Sequence, residues 1–96
     1  MNRTNAKAKA WLLAQGYISL FMFPHSRYAK GLVIEGEEFD GLCFDLKTPR
    51  IVMFQTKSNC KIPKKTLQKY RQIAKKTHTR CLWINAIDRK GVEVYE

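Results

Sequence analysis

The stretch FDGLCFDLKTPRIVMFQTK, Phe39 to Lys57, decides how this chain is read. Two apolar-rich runs, FDGLCFD and IVMFQTK, flank LKTPR, where Pro49 and its polar neighbours make a turn. The pattern predicts a β-hairpin. With the turn at Lys47 to Arg50, Leu46 faces Ile51 and Asp40 faces Lys57. Opposed residues of an antiparallel pair project to one face with Cβ atoms about 4.5–5.5 Å apart, and diagonal neighbours lie at about 7–8 Å. Asp40, Lys57 and the diagonal Gln55 therefore share a face, leaving Val52, Phe54 and Thr56 on the other. A slip of one residue would scatter the three, whereas a slip of two would preserve their common face. Leu42, Phe44, Ile51 and Met53 occupy that face nearer the turn, so its polar groups gather only where the hairpin opens.

Upstream, residues 4 to 15 read as a helix with Ala6, Ala10, Leu13 and Tyr17 on one face, Thr4 as N-cap and Gly16 just past the end. YISLFMF, Tyr17 to Phe23, reads as a buried strand stopped by Pro24. From His25 to Glu38 the chain is irregular, and around Leu32 to Ile34 a short strand and a loop fit equally well. Downstream, a helix is expected from Pro63 to Lys76, with Leu67, Tyr70, Ile73 and Ala74 as its apolar stripe. CLWINAI and VEVYE then read as strands around the turn DRKG. This order implies an α/β fold, a mixed central β-sheet flanked by helices. Ninety-six residues suit a single domain, 1–96, with a modest core that a homodimer would enlarge.

Eighteen basic residues against eight acidic ones give a net charge of +10, a load that points to a polyanionic partner. No apolar run approaches the roughly 20 residues of a membrane span, and AWLLA is too short for the core of a secretory signal. Cys43, Cys60 and Cys81 are odd in number and widely spaced, which fits reduced thiols in an intracellular, cytoplasmic protein better than zinc or disulfides. Five of the eight acids lie between Glu35 and Asp45, whereas Lys57 to Arg80 holds nine basic residues and no acid. Lys61, Lys64, Lys65, Lys69 and Lys76 fall away from the apolar stripe of the second helix, placed to contact the phosphates of DNA. Arg27, with His25, Ser26 and Tyr28, would add contacts from the loop.

Hydrolysis of a phosphodiester needs an activated water and stabilisation of charge on a phosphoryl oxygen, which a carboxylate-held Mg²⁺ (or Mn²⁺) supplies. Asp40 is the expected ligand, the Gln55 amide oxygen a second and the Thr56 carbonyl a third, with Lys57 placing a compact positive charge beside the scissile phosphate. On these residues the chain FDGLCFDLKTPRIVMFQTKSN, with a helix and strand before it and a helix and strand after it, resembles the PD-(D/E)XK nuclease superfamily. The Gln-x-Lys form is similar to that of Mrr-type restriction endonucleases, and the compact whole to small archaeal or phage Holliday-junction resolvases. The resemblance covers about Thr4 to Asn85. It implies a restriction-endonuclease-like core of order α-β-β-β-α-β and a metal-dependent DNA endonuclease with Asp40, Gln55 and Lys57 in catalysis. Resolvase-like members carry an acid in the first helix. Here that helix has none, so Glu38 is expected to join Asp40 and Gln55 at the metal, with Glu35 and Glu37 behind it. Two other readings compete: a non-catalytic nucleic-acid-binding module on the same fold, and a basic interaction protein whose Asp40 and Lys57 form only an exposed ion pair, worth under about 1 kcal/mol.

Overall fold

The predicted hairpin is present in a computed structural model that describes residues 3–22 and 32–96. In chain order the elements are α1 (Arg3–Ala14), β1 (Ile18–Met22), β2 (Leu32–Ile34), β3 (Glu37–Phe39), β4 (Gly41–Asp45), β5 (Arg50–Ser58), α2 (Lys64–Thr77), β6 (Arg80–Ala86) and β7 (Val92–Tyr95). Five strands form a mixed sheet in the order β1-β4-β5-β6-β7, and β2 pairs with β3 in a separate ribbon. All neighbours in the large sheet are antiparallel except β5 and β6, which run parallel because α2 carries the chain back between them. The expected α/β class and mixed sheet are therefore present, with two helices on opposite faces.

The hairpin register differs from expectation by two residues. Phe44, not Leu46, faces Ile51, and the ladder runs from Asp45 opposite Arg50 to Gly41 opposite Phe54. The cause is Asp45. Its carboxylate accepts the Lys47 N–H at 2.9 Å and the Thr48 hydroxyl at 2.8 Å, so the turn begins at Leu46 and the strands close two residues earlier. Because the slip is even, the paired residues from Gly41 to Asp45 and from Arg50 to Phe54 keep their predicted faces. Asp40, however, is now level with Gln55 rather than Lys57.

One face of the sheet buries Cys43, Val52, Phe54, Leu82 and Ile84 against Ala8 and Leu12 of α1. The other buries Phe39, Met53, Cys81 and Trp83 against Tyr70 and Ile73 of α2. Between these layers β6 is buried along almost its whole length, as the unbroken apolar run CLWI requires. The α2 stripe is as predicted, with Pro63 preceding the first turn as N-cap instead of occupying it. The face of α1 is not. Asn5, Ala8 and Leu12 are buried, whereas Ala6, Ala10 and Leu13 are exposed. Both faces carry a leucine at helical spacing, and the buried one also gives Asn5 a hydrogen-bonding partner and lets Trp11 pack beside the core. Thr4 lies within the helix and does not cap it.

β1 also departs from its reading as a buried strand. It is the edge of the sheet, pairing only with β4, and a bulge at Leu20 leaves Ile18 and Leu20 exposed. The two readings of Leu32 to Ile34 resolve in favour of the strand: β2 and β3 join through Glu35 and Gly36, whose φ of 49° and 83° match a type I′ turn. Lys76 at 2.7 Å and Lys69 at 3.8 Å both pair with Glu35 and pin this ribbon to α2.

Candidate active site

Gly41 ends the β4 ladder, and one residue before it the chain bends away at Asp40. Its backbone N–H still donates to the Phe54 carbonyl at 2.7 Å, but the next donor along β5, the Thr56 N–H, finds no strand beside it. The Asp40 carboxylate takes that place. Its Oδ2 accepts the Thr56 N–H at 2.7 Å and the Thr56 hydroxyl at 2.8 Å. Sequence reasoning cast the Thr56 carbonyl as a metal ligand; the structure makes the amide and hydroxyl of Thr56 the groups that hold Asp40 still.

Gln55 closes over the same carboxylate. Its amide lies 3.2 Å from both Asp40 oxygens and from the Glu38 carbonyl, and with Nε2 turned inward it donates to these three acceptors. Asp40 and Gln55, expected as diagonal neighbours, are thus in direct contact. Asp40 is half-buried and Gln55 buried, so the pair sits in the rim of the sheet and not on its surface.

Lys57 follows two residues on. Its Nζ lies 6.0 Å from the centroid of the Trp83 ring, within cation–π range. It lines an open pocket with Gln55, Glu37, Glu38, Thr66 and Tyr70. The predicted opposition of Asp40 and Lys57 is replaced by a staggered arrangement in which Asp40 touches Gln55, two residues before Lys57 on β5. Burial pushes the Tyr70 phenol well above its ordinary range, with the Glu37 and Asp40 charges adding to the shift, so the hydroxyl stays protonated.

Glu38 was expected to extend the hairpin and share the face of Asp40. Instead β3 pairs with β2, and the carbonyl of Glu38, not its carboxylate, approaches Gln55. Its exposed side chain nevertheless borders the pocket. Sequence reasoning missed Asn5. From the buried face of α1 its Oδ1 lies 3.1 Å from the Thr56 hydroxyl that also binds Asp40. The signal was available, since Asn5 stands three and seven residues before Ala8 and Leu12, a polar residue on a face that then becomes apolar.

The cations divide. Lys61, Lys64 and Lys65 are exposed along the start of α2, as expected. Lys69 and Lys76 share Glu35, so their charge also anchors the β2–β3 ribbon. Arg27 lies outside the described residues, as do its neighbours in the loop.

Among the described residues no three Asp, Glu, His or Cys side chains gather into a metal cluster. The donor set is a carboxylate and an amide. Reversal of the Gln55 amide would set its oxygen 3.2 Å from the carboxylate oxygens, close to the roughly 3.0 Å edge between adjacent ligands of an octahedron with 2.1 Å bonds. The pair therefore fits a small divalent cation. No described helix is long and apolar enough to cross a membrane. Comparison of the chain with protein-family models, curated proteins and solved structures found no match.

Proposed function

We propose that this protein is a metal-dependent DNA endonuclease of the PD-(D/E)XK type, directed to structured or branched DNA. The observation that carries this reading is the contact of Asp40 and Gln55 at the open end of the hairpin, beside a pocket that Lys57 lines. The element order, with three antiparallel strands β1, β4 and β5 followed by α2 and the parallel β6, supports the α-β-β-β-α-β core, with β7 and the β2–β3 ribbon added to it. The charge of +10 supports a polyanionic substrate.

Asp40 and Gln55 would hold Mg²⁺ or Mn²⁺, which supplies Lewis-acid stabilisation of the phosphoryl oxygen and lowers the pKa of water. Thr56 and Asn5 fix the Asp40 carboxylate so that ligand binding requires no reordering of that side chain. Lys57, packed over Trp83, offers a positive charge to a phosphate entering the pocket and stabilises the charge that develops there. Glu38, whose exposed side chain borders the pocket, would complete the set.

Two observations favour a second reading, a nucleic-acid-binding module without catalysis: the first helix offers the amide of Asn5, not a carboxylate, and no three-residue metal cluster is present among the described residues. Incubation with supercoiled plasmid and branched DNA in Mg²⁺ or Mn²⁺, beside Asp40→Ala, separates the two. Cleavage that disappears in the variant establishes the nuclease; tight binding with no cleavage by either protein establishes the module.

A further inference from the structure

A second cationic feature lies away from α2. Arg3 and Lys7 on α1 and Arg89 and Lys90 in the β6–β7 turn surround an open concavity whose lining includes one acid, Asp88. Lys7 Nζ donates to the Ile87 carbonyl at 2.6 Å and draws the helix onto the turn. Arg3, Arg89 and Lys90 make no ion pair with a described residue. Arg80, by contrast, pairs with Asp45 and Glu96, and Lys69 and Lys76 share the single carboxylate of Glu35. Three uncompensated charges around one hollow repel one another and are kept close by the backbone, because α1 and the turn are each anchored independently.

The hollow is tied through shared elements to the candidate active site. Asn59, the first residue after β5, donates its N–H to the Ala86 carbonyl at 2.8 Å and accepts the Asp88 N–H on its side chain at 3.0 Å. Asn5, two residues from both Arg3 and Lys7 on α1, reaches Thr56 and through it Asp40. The end of α1, the end of β5 and the β6–β7 turn thus meet at one end of the sheet.

From this we infer that the phosphate backbone of the nucleic acid is held by the rim formed by Arg3, Lys7, Arg89 and Lys90, with the lysines at the start of α2 in a lesser role. The inference rests on the nucleic-acid part of the reading above and not on cleavage. All five side chains that line the hollow are charged. A membrane-binding surface would pair its cations with apolar anchors, whereas a concave, wholly polar cationic seat suits a phosphodiester chain.

The test compares two variants that lose equal charge: Arg3→Gln/Arg89→Asn/Lys90→Gln at the rim and Lys61→Gln/Lys64→Gln/Lys65→Gln just before and at the start of α2. Asn at position 89 accepts the left-handed φ of 59° found there. Circular dichroism and thermal melts establish that both fold. Affinity for a fluorescent branched DNA oligonucleotide is measured by anisotropy in EDTA over a salt series, which keeps binding separate from cleavage. The rim variant is expected to bind at least about tenfold more weakly, with the slope of log K against log salt reduced by about 2–3, near 0.9 per lost phosphate contact. The α2 variant should change affinity less than about threefold. Equal losses, or a larger loss in the α2 variant, would overturn the assignment while leaving the nucleic-acid reading intact. Failure of the unaltered protein to bind DNA, with rim-dependent binding to phosphatidylserine vesicles instead, would overturn both.

Discussion

The two ends of β5 treat an aspartate in opposite ways. At the turn end, Asp45 is buried and surrounded by donors: the Lys47 amide, the Thr48 hydroxyl and the Arg80 guanidinium at 2.8 Å. Arg80 in turn holds Glu96 through two nitrogens at 2.7 Å and the Tyr17 hydroxyl at 2.8 Å. Charge there is matched by charge, and the cluster ties β1, β4, β6 and the C-terminal residue together. At the open end, the donors that Asp40 receives among the described residues are neutral, from Thr56 and Gln55, and no described basic side chain pairs with it. In the proposed function the carboxylate held by neutral donors is the one that takes a cation, whereas the one neutralised by an arginine is structural. Net charge alone would not distinguish them.

The most direct way to break this contrast is to exchange Asp40. Asp40→Ala should abolish plasmid cleavage in Mg²⁺ while DNA binding in EDTA persists; an active variant would move the chemistry elsewhere. Next comes Lys57→Ala, expected to lower the cleavage rate by about 10²–10³-fold, as for removal of one group that stabilises developing charge. Single-turnover kinetics at saturating protein would read this effect apart from binding. At the other end, Arg80→Ala should leave activity per folded molecule unchanged and cost about 2–3 kcal/mol of stability by urea denaturation. That figure lies below the usual range for a broken buried pair because the Arg80 side chain is 21% exposed. A catalytic defect in Arg80→Ala without instability would erase the distinction between the ends.

Acid and base should sharpen it. Burial by itself would raise the Asp45 carboxyl, but the Thr48, Lys47 and Arg80 interactions outweigh it and hold the group below its ordinary value. A carboxyl lowered by folding stabilises the protein above its unfolded pKa, and that stability is lost as pH falls through the folded one. Melting temperature should therefore drop below about pH 4, and Arg80→Ala should flatten the acid limb. At high pH the sign reverses. Burial pushes the Cys81 thiol up to about 11, so the stability it confers is complete below its ordinary value near 9.0 and is lost as pH rises through 11. The smallest expected effect is that of Asn5→Asp. A second carboxylate near Asp40 should lower the melting temperature in EDTA by a few degrees and increase the stabilisation that Mn²⁺ confers. No change in metal response would remove Asn5 from the site.

Much of this architecture was legible along the chain because its signals are local. Pro49 between two apolar runs marked the hairpin, Leu67, Tyr70 and Ile73 at helical spacing marked the inner face of α2, and CLWI marked a strand buried on both sides. The common face of Gln55 and Lys57 followed from alternation and is unaffected by a two-residue slip for that reason alone. Other features depend on contacts between distant segments. Which leucine of α1 turns inward is settled by the sheet beneath it, and the engagement of Lys69 and Lys76 by Glu35 depends on where the β2–β3 ribbon lands.

Residue types and their periods thus set the elements, the excess of positive charge and the side of the hairpin on which the polar triplet lies, because these depend on neighbours within a few positions. Packing chose the rest. It bent the chain at Asp40 so that a side chain completes the ladder of Thr56, brought Asn5 across 51 positions to the same hydroxyl, and set four cations around one hollow. Those choices balance burial, hydrogen-bond satisfaction and charge among segments that meet only once the sheet has formed.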